Sequence, residues 1–191
     1  MAKKKQQQIT LEDLAKLGPK KILLLVLAAI LVYFFGGGEL LQQEQDDSGF
    51  IMGTVKRVVD GDTAVVVVDG AERRVRLLGV DTPETVHPNK PVQFYGKEAS
   101  NFTKESLTGK SVWLEYDSNP QDRYNRHLVY LWTAKPSSIT EASMRRDMFN
   151  ARLLLDGYAK VMIIKPNKRY EELFKKFEGE ARNAKRGLWG E

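Results

Sequence analysis

The chain has 191 residues, of which 42% are hydrophobic, and it carries a formal net charge of +5. This length can build one domain with a proper core and a short extra segment, and it argues against two full domains. The absence of cysteine excludes disulfides, zinc–thiolate sites and a thiol nucleophile.

The positive charge is unevenly distributed along the chain. Residues 1–50 carry equal numbers of basic and acidic side chains, so the whole excess lies in residues 51–191. A basic domain favours anionic partners, with nucleic acid first and an anionic membrane surface second. A soluble domain that has no such partner fits the charge equally well.

The first predicted element is an apolar helix near the N-terminus. Residues 22–35 read ILLLVLAAILVYFF and follow two lysines, and extension to residue 41 reaches the length of a membrane span. We predict a cytoplasmic basic tail over residues 1–21 and a transmembrane signal anchor over residues 22–41. Cleavage as a signal peptide is the alternative. The rest of the chain is then extracytoplasmic, either tethered to the cell membrane by one span or secreted.

A polar linker, residues 42–50, leads into a series of short predicted strands. GTVKRVV, TAVVVV and ERRVRLLGV come first, with an Asp-Gly hairpin signal between the last two. SVWLEY and HLVYLWT flank a polar turn, and the short strand YAKVMII comes later. No connection before residue 97 is long enough for a parallel crossover, so the pattern predicts a small closed barrel.

About three helices are predicted to pack on this barrel. GKEASNFTKESL and MFNARLLLDG are the first two, and the third covers residues 170–185 with Gly187 as its cap. The predicted fold class is therefore α+β within residues 51–191: a five-stranded barrel with about three helices, preceded by one N-terminal hydrophobic helix.

Carboxylates and an arginine converge at the open end of the first predicted hairpin. A regular hairpin about the Asp-Gly turn places Asp62 opposite Leu77 and close to Arg76. Asp81 and Glu84 follow a few residues later. Carboxylates with backbone oxygens suit Ca²⁺ or Mg²⁺, and an arginine fork pairs with phosphate. Each motif alone also fits an ordinary turn, a strand break or an internal ion pair, but their coincidence favours a metal-dependent phosphodiesterase site.

Five motifs together resemble the staphylococcal nuclease (thermonuclease) family in order, spacing and content: DGDT, VRLLGVDTPET, HPNKPVQFYGKEAS, DRYNR and AKVMIIKPN. The resemblance covers residues 53–190. It implies an OB-fold barrel with three helices and Ca²⁺-dependent hydrolysis of DNA and RNA with little base preference. DNA is the expected partner, with RNA left open; no protein partner is inferred, and a monomer is expected.

The resemblance also implies the metal site and the group that activates water. Asp62 and Asp81 correspond to the Ca²⁺ carboxylate ligands of the family, and Thr82 to the residue that supplies a backbone carbonyl. Glu84 corresponds to the residue that orients or deprotonates the attacking water.

The same comparison implies the phosphate-binding residues. Arg76 and Arg126 correspond to the two arginines that grip the scissile phosphate. Arg123 and Tyr124 correspond to residues that contact a terminal phosphate of the nucleotide.

The chain departs from the family pattern in three places. Residues 162–164 read MII where tyrosines commonly line the nucleotide cleft, which leaves apolar contact in place of base stacking. Asn125 stands where glycine is usual, and asparagine tolerates a positive φ better than most residues. Residues 135–147 resemble an insertion, which we predict to be a solvated loop.

Two rival functions remain open from sequence alone. One is a catalytically inactive OB-fold module that binds nucleic acid or a protein partner. The other is a structural envelope protein whose barrel spaces the anchor from a partner. The presence of all the carboxylates and arginines named above favours the enzyme over both.

Overall fold

The computed structural model describes residues 49–85 and 93–190. The predicted basic tail and membrane span, and nearly all of the predicted linker, lie outside the described residues. Among the residues that are described, no helix has the length and apolar character needed to cross a membrane.

Five strands of the described chain close into a barrel in the order β1-β2-β3-β6-β5. Neighbouring strands are antiparallel except β3 and β6, whose parallel pairing closes the barrel. Two short strands, β4 and β7, form a separate antiparallel ribbon. The strands are β1 Phe50–Asp60, β2 Thr63–Val68, β3 Ala71–Leu77, β4 Gly79–Asp81, β5 Ser111–Gln121, β6 His127–Trp132 and β7 Lys160–Met162. The predicted five-stranded barrel is confirmed.

Four α-helices pack around this barrel. They are α1 Gly96–Leu107, α2 Glu141–Asp147, α3 Phe149–Leu155 and α4 Glu171–Asn183, and a 3₁₀ turn follows at Gly187–Trp189. α1 has the predicted bounds, because its buried residues recur at helical spacing and include Ala99, Thr103 and Leu107.

One hydrophobic core joins the barrel to the helices. Fully buried side chains from the barrel strands, such as Val66, Val75 and Leu128, belong to the same cluster as Phe149 and Phe174 of the helices. Burial of apolar surface of this extent is the main favourable term in folding. The β2–β3 hairpin, which carries the candidate site, is therefore anchored in this core through side chains such as Val66 and Val75.

The prediction of a solvated loop over residues 135–147 was wrong for its second half, and one helix is added to the approximate number of three. Within the described chain there are four helices, and the extra one, α2, occupies the second half of that stretch. A capping box starts it, in which Thr140 Oγ1 accepts from Ser143 N at 3.1 Å and Ser143 Oγ accepts from Thr140 N at 2.9 Å. The reciprocal capping bonds and the packing of buried residues favour a helix here, although the polar composition of the segment suggests a loop.

Two predicted element ends also differ from the structure. β5 continues to Gln121, through the first half of the predicted polar turn, because Gln121 pairs with His127 of β6. α4 ends at Asn183, and Lys185 takes a left-handed conformation just after it, with φ 51°, whereas Gly187, also at φ 51°, lies two residues further on. The end of β5 is thus determined by pairing with a distant strand, and the end of α4 by local backbone hydrogen bonds.

Candidate active site

A cavity of about 280 Å³ opens beside the β2–β3 hairpin. Its lining includes six of the eight predicted site residues: Asp62, Arg76, Asp81, Thr82, Glu84 and Arg126. The other two, Arg123 and Tyr124, do not line it. The structure thus brings together residues that are up to 64 positions apart in the sequence.

The hairpin has the register that the Asp-Gly turn predicts. Thr63 pairs with Arg76, and Leu77 N donates to Asp62 O at 2.9 Å. Asp62 therefore lies next to Arg76, with 3.1 Å between Asp62 Oδ2 and Arg76 Nη2. The prediction that Asp62 lies opposite Leu77 is confirmed.

Arg76 is buried and held from several directions. Its Nη1 donates to Leu77 O at 2.7 Å and to Val80 O at 2.8 Å. Its Nη2 donates to Asp81 Oδ1 at 3.0 Å and also contacts Asp62. The guanidinium is thus oriented by the protein before any ligand arrives, which is the condition for effective electrostatic stabilisation of a transition state.

Asp62 and Asp81 present carboxylates on either side of the same arginine nitrogen. Asp62 is buried and accepts hydrogen bonds from Thr82 N at 3.0 Å and Thr63 Oγ1 at 3.0 Å. The Asp81 side chain is half exposed. Partial burial raises the pKa of Asp81; Arg76 opposes this rise, and the neighbouring charge of Asp62 adds to it.

These groups fit a hard divalent cation. Asp62 and Asp81 both contact Arg76 Nη2. Thr82, whose main-chain oxygen is the third candidate ligand, directly follows Asp81 in the chain and donates its N–H to Asp62 Oδ2 at 3.0 Å. Carboxylate and carbonyl oxygens, completed by water, are the ligands that Ca²⁺ accepts. In residues 49–85 and 93–190 there is no cluster of three or more His, Cys, Asp or Glu side chains that could hold a metal ion without such help.

Glu84 is positioned through its backbone. Glu84 N donates to Gln93 Oε1 at 3.0 Å, and Gln93 N donates to Glu84 O at 3.1 Å. The next residue, Thr85, donates through Oγ1 to Asp60 Oδ1 at 2.7 Å. These bonds fix the segment that carries the Glu84 carboxylate from both sides.

Asp60 is a site residue that the sequence analysis did not single out. It is buried and lines the cavity with Glu84. Burial raises its pKa, Thr85 and the Gly61 N–H oppose the rise, and a hydrogen bond with Glu84 adds to it. The DGDT motif contains Asp60, but only the fold reveals that it contacts Glu84. No sequence signal indicates Gln93, because it bonds to Glu84 from nine positions further along the chain.

Arg126 is held by the tight turn that precedes β6. Its Nε donates to Asp122 Oδ2 at 2.7 Å, and Asp122 Oδ1 also accepts from Tyr124 N at 2.8 Å. Asn125 has φ 58°, which confirms the expected left-handed conformation. Tyr124 is 62% exposed and has Arg123 over its ring at 4.8 Å. Arg123 and Tyr124 therefore form an exposed pair beside Arg126.

Known nucleases are among the proteins to which this chain is similar. Residues 74–191 match the family described as staphylococcal nuclease homologue. The chain is 47% identical over 135 residues to a thermonuclease of Staphylococcus intermedius, across 71% of this chain and 74% of that protein. It is 45% identical over 135 residues to a thermonuclease of Staphylococcus hyicus, across 71% and 73%. It is 38% identical over 138 residues to the SPbeta prophage-derived endonuclease YokF of Bacillus subtilis, across 71% and 43%.

Proposed function

This chain belongs to the staphylococcal nuclease family and is a hydrolytic nuclease, and from that premise we propose that it cleaves DNA with Ca²⁺ as its cofactor. RNA is a second substrate class, and little sequence specificity is expected, because the arginines that line the cavity recognise phosphate and not the bases. The observation that carries the proposal is the convergence of Arg76, Glu84 and Arg126 with two carboxylates on one cavity.

Asp62, Asp81 and the main-chain oxygen of Thr82 would hold the cation. When bound, Ca²⁺ supplies Lewis-acid polarisation of a phosphoryl oxygen and lowers the pKa of coordinated water. Both carboxylates contact Arg76 Nη2, so the groups that would hold the cation and the guanidinium that attracts phosphate lie next to each other.

Arg76 and Arg126 stabilise the negative charge that grows on the phosphate during the reaction. Arg76 is fixed by two carbonyl oxygens and two carboxylates, so its orientation requires little reorganisation. Arg126 is held by Asp122 and lines the same cavity. A planar guanidinium can form two parallel hydrogen bonds to phosphate, which an ammonium group cannot do.

Glu84 acts on the attacking water. Its carboxylate accepts the proton as the water oxygen bonds to phosphorus, while the bond from phosphorus to the leaving ester oxygen breaks and that oxygen takes a proton from solvent. Gln93 and Asp60 hold the segment that carries Glu84 in place. Arg123 and Tyr124 are assigned to a terminal phosphate of the nucleotide, because they form an exposed pair next to Arg126.

The proposal includes a location for the enzyme. The apolar stretch over residues 22–41 follows basic residues, so it tethers the nuclease domain to the outer side of the cell membrane, with release by cleavage as the alternative. N-terminal sequencing of the native protein tests this, because a first residue near Glu39 would contradict a retained anchor. A monomer is proposed as the working unit.

Cleavage of single-stranded DNA by the full-length protein tests the activity. We expect cleavage with Ca²⁺ and none with EDTA, and a loss of at least about 100-fold in Glu84→Gln and in Arg76→Ala. Equal cleavage by all three proteins would contradict the proposal. Binding of the DNA without any cleavage by the unmodified protein would instead support the inactive OB-fold module.

A further inference from the structure

A third arginine lines the same cavity and has no part in the chemistry described above. Arg74 lies on β3, two residues before Arg76, and reaches the cavity that Arg76 and Arg126 also line. We propose that Arg74 binds a phosphate next to the scissile phosphate in a single-stranded polynucleotide. This inference rests on the proposed nuclease function and adds a subsite to it.

Strand geometry places Arg74 and Arg76 on one face of β3. Side chains at positions i and i+2 of a strand point to the same side, roughly 6.6 Å apart along it. Arg74 pairs with Val65 and Arg76 pairs with Thr63 across the hairpin. The two guanidiniums therefore start from neighbouring positions on one wall of the cavity.

The partners of the arginines distinguish their roles. Arg76 is buried and occupied by protein oxygens, and Arg126 is paired with Asp122 at 2.7 Å. Arg73 pairs weakly with Asp69 at 4.0 Å. Arg74 is exposed and makes no side-chain hydrogen bond or ion pair with any residue of the two described ranges. Its guanidinium is thus available to a ligand at the cavity rim.

The position of Arg74 favours a flanking phosphate over the scissile one. The reacting phosphate must lie near Asp81 and Glu84, and Arg74 is displaced from Arg76 toward the hairpin turn, away from those carboxylates. The parallel pairing of Val75 with His127 brings this part of β3 beside the chain that carries Arg126. A polynucleotide that places one phosphate at Arg76 can therefore place a neighbouring phosphate at Arg74.

Substrate length provides the test of this subsite. The full-length protein, Arg74→Ala and Lys110→Ala are compared on a thymidine dinucleotide, which has one phosphodiester, and on a 12-residue oligothymidylate. Lys110 is exposed and lies outside the cavity lining, so its variant matches the loss of charge. We expect Arg74→Ala to lower kcat/KM on the oligomer about tenfold, mainly through KM, and to leave dinucleotide cleavage unchanged.

The salt dependence adds a readout that a merely structural role would not change. On the oligomer, we compare the slope of log kcat/KM against log salt concentration. In Arg74→Ala this slope should fall in magnitude by roughly 0.7, which is the value for one lost phosphate contact on a single strand. In Lys110→Ala the slope should stay the same. Equal losses of Arg74→Ala on both substrates, or no loss on either, would overturn the inference.

A binding measurement separates this inference from the proposed function. Fluorescence anisotropy of labelled oligothymidylate in EDTA should show about tenfold weaker binding by Arg74→Ala than by the unmodified protein. If the unmodified protein cleaves neither substrate, the proposed function fails, whereas weaker binding by Arg74→Ala still supports the subsite. Equal affinities of the two proteins would overturn it.

Discussion

Arg76 combines burial with contacts to four different residues, and this makes its side-chain shape important as well as its charge. Lysine would keep the positive charge, but its ammonium group could not donate to the two carbonyl oxygens and two carboxylates that the planar guanidinium contacts at once. We expect Arg76→Lys to lower kcat by at least about 100-fold with a smaller change in KM, measured by steady-state kinetics. Arg73→Lys, at an arginine whose carboxylate partner Asp69 lies 4.0 Å away, is the control. Full kcat in Arg76→Lys would contradict the role of the fork geometry.

Gln93 affects catalysis through the backbone of Glu84. Gln93→Met keeps the length of the side chain but removes the oxygen that accepts from Glu84 N, and Gln93→Glu keeps such an oxygen. We expect the methionine variant to lose about tenfold in kcat with KM unchanged, and the glutamate variant to retain more activity. The added carboxylate should also raise the apparent pKa of the acidic limb of the pH–rate profile. Equal kcat in both variants would rule out a positioning role.

At the scale of elements, α2 is attached to α4 by Arg145 and by an ion pair of Glu141 with Lys176. Arg145 Nη1 donates to Glu180 at 2.8 Å, Arg145 Nε donates to Glu141 at 2.9 Å, and its guanidinium lies 4.6 Å from the Phe177 ring centroid. These bonds hold the pKa of Glu180 below its ordinary value. The helix that replaces the expected loop is therefore a packed part of the domain.

This attachment predicts a difference between two neighbouring arginines. Arg145→Ala should lower the free energy of unfolding by about 1 kcal/mol, because it removes a cation–π contact and bridges to two elements. Arg146→Ala should leave stability unchanged, because Arg146 is exposed and its ion pair is with the adjacent Asp147. Urea titrations of both variants provide the measurement. Neither change should alter nuclease activity, and equal stabilities would contradict the proposed attachment.

The elements that sequence analysis predicted well are those determined locally. The Asp-Gly turn sets the hairpin register, and Asn125 adopts the expected positive φ because a tight turn requires it. The end of β5 depends on pairing with β6, and α2 depends on contacts with α4, so neither could be read from its own residues. The same reason explains why Asp60 and its contact with Glu84 were missed.

On the scale of the whole molecule, a buried polar network joins the barrel to the segment that leads into α4. Glu115 of β5 accepts from Trp132 Nε1 at 2.9 Å, Arg169 Nη1 at 2.6 Å and Tyr170 Oη at 2.7 Å. A buried carboxylate with this many donors is well compensated, and removal of any one partner leaves charge uncompensated. The network thus determines how the C-terminal helix sits on the barrel.

Asp117, next in this network, makes stability depend on pH. Burial alone would raise its pKa, but hydrogen bonds from Arg169 N, Ser118 and Tyr130 outweigh burial and hold the pKa below its ordinary value. A lowered folded-state pKa contributes stability that is present above the unfolded-state pKa of about 3.9 and is lost as pH falls through the folded-state value.

We therefore expect Asp117→Asn to be less stable than the parent by about 1–2 kcal/mol at pH 7 and to approach the parent as the pH falls below about 4. Urea unfolding at a series of pH values measures this. Asp156→Asn, at an exposed ion pair with Arg152, should keep the parent's pH dependence. A constant difference between Asp117→Asn and the parent at all pH values would contradict the linkage.

The parallel seam between β3 and β6 has a consequence for how activity arises during folding. Asp62, Arg76 and Asp81 come from one local hairpin and its extension, whereas Arg126 reaches them only when this seam forms. Contacts between distant parts of a chain form more slowly than local ones. The rate at which DNA hydrolysis returns after dilution from urea therefore reports when β3 pairs with β6. A chain in which this pairing has not yet formed has Asp62, Arg76 and Asp81 together but lacks Arg126 at the site.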